Sequence, residues 1–127
     1  MGKPAFFQTI PDELVVRLRV LPHREQRYDT EGDWLWADNT LEVRISREVC
    51  DEDPRFGLLT FVHELVEAML CRGMGIAGAE VDAFDMLHQG DREPGELPSA
   101  PYHSQHMAAE RALADQLGID WERYLGR

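Results

Sequence analysis

The chain has 127 residues, with 24 acidic against 13 basic side chains and a formal net charge of −11. This is the length of one ordinary domain, and a hydrophobic share of 43% belongs to a globular chain, which excludes intrinsic disorder. The acidic balance repels nucleic-acid backbones and anionic membranes, so neither is expected as a direct partner; it suits a cationic ligand or plain solubility.

Residues 1–6 do not read as a secretory leader, and Phe6 stands where a myristoylation signal needs Ser or Thr. No apolar run has the length of a membrane span. Cys50 and Cys71 make neither a close metal-binding pair nor a disulfide framework, so a reducing, cytoplasmic setting is expected. Residues 13–21 alternate, with Leu14, Val16, Leu18 and Val20 on one side, which predicts a strand. His23 falls in the polar connection 22–28 and is given no role. Residues 33–37 and 41–46 predict a β-hairpin turning at Asp38-Asn39, with Leu41, Val43 and Ile45 opposite Glu42 and Arg44. Trp34, Trp36 and Phe61 read as packing residues.

An acidic stretch ending in Pro54 starts a helix that runs to about Arg72 and stops at glycines 73, 75 and 78. A shorter helix is predicted over 79–89 and an exposed loop over 90–101. A further helix covers 102–117, closed by Gly118, and a last turn at 120–125 tucks in Trp121 and Tyr124. Strands first and helices afterwards predict an α+β domain: a small antiparallel sheet followed by three helices.

The segment 56–71 is apolar almost all the way round its helix, which marks it as buried, yet it carries His63, Glu64 and Glu67. Unpartnered charges in such a place cost several kcal/mol each, roughly, so something must compensate them. Residues four apart share a helix face, which lets His63 and Glu67 grip one ion while Glu64 stands beside an ion-bound water as its base. The pattern His-Glu-x-x-Glu differs by one ligand from the His-Glu-x-x-His of zinc proteases. The bland alternative is a chance match on a core helix.

Catalytic zinc takes three protein ligands and leaves one position open. The helix 102–117 offers the third: the stripe Tyr102, His106, Ala109, Leu113 and Leu117 puts His106 toward the core. Glu110, toward one flank, is a second ligand from that helix or a group orienting His106, and His103 is a lesser candidate. Against this stands a plain core histidine bonded to a carboxylate. Glu67 in place of a histidine makes the ion a poorer Lewis acid and opens the site to Mn²⁺ or Fe²⁺ as well as Zn²⁺. Asp82 and Asp85 form a second carboxylate pair, superficially a Mg²⁺ arrangement, more simply an orienting or solvated pair. His88 is a fourth ligand or a surface residue. Cys71 lies about 12 Å along the helix from His63 and is a core residue.

With His63, Glu64, Glu67, Asp82, Asp85, Pro101, Tyr102 and His106 in place, residues 40–125 resemble a family of small uncharacterised proteins of tailed phages and prophages with a zincin-like core. Glu96 departs from the pattern, which more usually has aspartate there. The resemblance implies a zincin-like fold and a metal site on His63, Glu67 and His106, and supplies no substrate. The expected activity is metal-dependent hydrolysis of peptidase type, with Glu64 moving the proton and Tyr102 or His103 steadying the oxyanion. The rival expectation is a non-catalytic phage protein whose ion ties two helices together and which acts by binding a partner.

Overall fold

The computed structural model describes residues 11–74 and 103–126, with side chains over 11–73 and 108–126. Three strands come first: β1 (Val15–Leu21), β2 (Gly32–Ala37) and β3 (Thr40–Ser46). Helices follow: α1 (Arg47–Glu52), α2 (Pro54–Met74), α3 (His103–Leu117) and α4 (Trp121–Leu125). The domain is α+β. The helix expected over 79–89, with Asp82, Asp85 and His88, lies outside the described residues.

The hairpin β2–β3 is antiparallel as expected, turning through Asp38, which takes a left-handed φ of 53°. β1, however, joins the far side of β3 in parallel, so the sheet is mixed and its order is β1-β3-β2. This topology makes β3 the central strand. Its inward row, Leu41, Val43 and Ile45, is sealed from water, at 0%, 0% and 1% exposure.

The apolar row of β1 is a different matter. Val16 and Leu18 sit level with Leu41 and Val43, on the same face of the sheet, yet are 39% and 48% exposed. The reason is reach: α2 lies over β2 and β3. Only Leu21, at the end of β1, is buried.

A short helix, α1, precedes the predicted long one and was not foreseen. It closes on α2 so tightly that a Cβ at Gly57 would lie 2.5 Å from Cys50 Sγ. Asp53 then heads α2, its carboxylate accepting from Arg55 N at 2.9 Å and pairing with the Arg55 guanidinium at 2.7 Å. The far end of α3 terminates at Gly118, whose φ of 69° favours glycine, and Asp120 caps α4 by accepting from the amides of Glu122 and Arg123.

Two apolar clusters form along α2. Phe56 and Leu59, near its start, pack with Val49, Ala114, Ile119 and Tyr124. Ala68 and Cys71, near its end, pack with Trp34 and the inward row of β3. His63, Glu64 and Glu67 fall between the two, at the seam.

Candidate metal centre

The long helix buries its charges as its composition requires. Glu64 is 8% and Glu67 5% exposed, while the His63 side chain keeps 23% of its surface. From α3, Glu110 arrives at 3% exposure. It was expected on a flank of its helix. Instead Glu110 and Ala114 are the buried positions among the described side chains of α3, with Ala109, Leu113 and Leu117 half-buried beside them. The inward face is thus turned slightly from the apolar stripe, because a carboxylate here has a partner strong enough to repay its burial.

That partner is His63. Its Nδ1 donates to Glu110 Oε1 at 2.9 Å, since an ionised carboxylate only accepts. The other ring nitrogen, Nε2, faces Glu64 Oε2 at 3.7 Å and Glu67 Oε2 at 3.8 Å. Burial alone would lower the imidazole pKa. The Glu110 hydrogen bond and the charges of Glu64, Glu110 and Glu67 overcome it and push it up to about 10. Without a metal, His63 is therefore an imidazolium at neutral pH.

Three further residues shape the cluster, and no motif in the sequence marks them for this task. Trp34, expected as packing, donates its indole N–H to Glu67 Oε1 at 2.8 Å, which leaves Oε2 turned toward the ring. Tyr124, expected only to tuck in, donates its hydroxyl to Glu110 Oε2 at 2.5 Å. Gly32, at the start of β2, lies against Glu64: a Cβ there would stand 2.7 Å from Glu64 Cγ and 2.8 Å from Cδ. A faint signal for Trp34 and Tyr124 was present, as a buried indole or phenol usually finds a polar partner. Nothing local marks Gly32.

Among the described residues no group of three or more His, Cys, Asp or Glu side chains is arranged to hold a metal ion. The side chains of His103 and His106 and the whole of Tyr102 lie outside those residues. The backbone of α3 places position 106 one turn before Glu110, on the same helix face. Cys71 is fully buried, and neither cysteine is in a disulfide.

His23 is not idle either. Its Nδ1 lies 2.8 Å from Ser46 Oγ and its Nε2 2.7 Å from Asp29 Oδ1. The order Ser-His-Asp imitates a hydrolytic triad, but Ser46 is fully buried and its hydroxyl already donates to the Thr30 carbonyl at 3.3 Å. A nucleophile that no substrate can reach is a structural clip.

Comparison with protein-family models, curated proteins and solved structures finds no match. Among the described residues no helix is long and apolar enough to cross a membrane.

Proposed function

We propose that this is a zincin-like metal-binding protein acting as a zinc-dependent hydrolase of peptidase type, in the cytoplasm. The resemblance of its motifs to the tailed-phage proteins supports the same reading. One observation carries it: a single imidazole meets three buried carboxylates, one through Nδ1 and two facing Nε2. One imidazolium against three carboxylates leaves a local charge of −2; with the ring neutral as a ligand the carboxylates carry −3, and a divalent cation at the Nε2 side would bring this to −1.

The donor types suit such an ion, although the described residues do not by themselves complete a three-ligand site. Imidazole nitrogen with carboxylate oxygen suits Zn²⁺, and equally Mn²⁺ or Fe²⁺. His63 and Glu67 would hold it, with His106 as the proposed third ligand. Glu110 is better placed to orient than to bind. It holds Nδ1, and a metal-ligating histidine commonly gives its other N–H to a carboxylate, which fixes the ring and makes the ligand more basic. Trp34 does the same for Glu67 by occupying one of its oxygens.

When bound, the ion would supply Lewis acidity and a water of lowered pKa. Glu64 is the candidate base: it lies next to His63, is buried, and is pinned against Gly32, so its carboxylate stays beside the Nε2 position. His63 would give up its Nε2 proton on binding, so loading releases a proton near neutral pH.

A second reading has its own observation. The His63–Glu110 contact joins α2 to α3 at the seam of two apolar clusters, where an ion would serve as a tie and the protein would act through a partner. Metal analysis of tag-free protein separates these readings. About one equivalent of zinc is expected for a three-ligand site. Glu64→Gln should keep that zinc and abolish hydrolysis of a casein substrate. Zinc without hydrolysis in the wild type favours the tie; no zinc, manganese or iron defeats both, leaving a buried ion-pair network.

A further inference from the structure

β1 lies at the edge of the sheet away from the candidate metal centre, which touches β2 through Gly32 and Trp34. Among the described residues no strand pairs with its outer side. Val15 N donates to Asn39 O at 3.0 Å, so Val15, Arg17 and Arg19 spend their backbone groups on β3. By the alternation of a parallel ladder, Val16, Leu18 and Val20 then turn theirs outward. Arg47 Nη2, 3.4 Å from Val20 O, blunts one end of this edge; among the described residues nothing covers the outward groups of Val16 and Leu18.

The two faces of the strand differ sharply. Toward the helix side stand Val16 and Leu18, 39% and 48% exposed, an apolar ledge beyond the reach of α2. On the opposite face Arg17 and Arg19 are 62% and 54% exposed, and lie 3.9 and 3.6 Å from Glu42, which Arg44 also pairs. Three arginines against one glutamate leave +2 on this patch, in a chain whose total is −11.

We propose that the open edge of β1 docks an extended segment of a partner protein in which acidic and apolar residues alternate, adding it as a fourth strand. Backbone groups of Val16 and Leu18 would supply the ladder, their side chains would meet the apolar residues, and Arg17 and Arg19 the acidic ones. Charge decides against a second copy of this chain. Two-fold pairing of β1 with itself sets Arg17 against Arg19 of the other copy, and both copies carry a large negative charge.

The test uses a fluorescent hexapeptide of alternating valine and glutamate, with a valine–lysine hexapeptide as control. Anisotropy should show saturable binding of the first alone, and the Val16 and Leu18 amides should shift in a ¹H–¹⁵N spectrum. Reversing both charges, Arg17→Glu with Arg19→Glu, should weaken binding about tenfold, as expected for two cross-strand charge pairs. Leu18→Pro should abolish it, since proline removes an outward N–H at an edge position that tolerates it. Val16→Thr with Leu18→Thr keeps strand propensity and should also weaken it. No binding at millimolar peptide, equal binding of the lysine peptide, shifts confined to β2, or a concentration-dependent dimer through β1 would each overturn the proposal.

Discussion

The two histidines whose side chains the structure describes, His23 and His63, engage partners through both ring nitrogens, and there the likeness ends. His23 meets a neutral, buried hydroxyl and the carboxylate of Asp29, which is 82% exposed; the imidazole is 35% exposed. His63 meets three carboxylates, each less than a tenth exposed. Water can replace most of what Asp29 offers, so the first network costs little to assemble and contributes little. The second holds charge in a place where water does not screen it, so its members depend on one another. What separates a clip from a candidate centre is the surplus of like charge around one ring.

Removing His63 is the strongest way to break this contrast. His63→Ala leaves three buried carboxylates without their cation and should cost about 3 kcal/mol, read as a drop in the urea midpoint, with any bound zinc lost. The same imidazole gives a pH signature. Its folded pKa of about 10 lies above the ordinary 6.5, so its stabilisation is complete below pH 6.5 and is lost as pH rises through 10. The metal-free wild type should therefore melt at falling temperatures across that window, and His63→Ala should not. Saturating zinc should flatten the curve across that window, because the ion holds the ring neutral, and move the loss of stability below pH 6.5, where the unfolded ring takes up a proton.

Tyr124→Phe tests how far the cluster is held from behind. Loss of a hydroxyl bonded to a carboxylate should cost about 2 kcal/mol in a urea titration. His23→Ala should do least, about 1 kcal/mol for a half-exposed network, with zinc content unchanged. A larger loss for His23 than for His63 would invert the comparison.

The sequence carried much of this arrangement and missed the rest for identifiable reasons. The hairpin and the long helix were legible because alternation and an all-apolar helix leave few other solutions, and the burial of Glu64 and Glu67 followed from the same argument. Over 109–117 periodicity also predicted the buried face of α3 to within one residue, but it weights apolar character. It therefore set Glu110 aside, where its contact with His63 draws it to the middle. The parallel joining of β1 was invisible, since local pattern does not say which strand is central, and the exposure of Val16 and Leu18 followed from that. Trp34, Tyr124 and Gly32 act across long sequence separations, 33, 14 and 32 residues from their partners, where no spacing rule reaches.

The mixed sheet also sets an order of assembly. β2 and β3 meet across a two-residue turn, whereas Val15 finds Thr40 only after the chain has traversed the whole of β2. Closing that longer loop costs more entropy and buries less side chain in return, because Val15 to Arg19 all stay exposed. The hairpin, with α2 laid over it, is thus the part that nucleates, and the first strand in sequence is the last to arrive and the first to detach when the domain breathes.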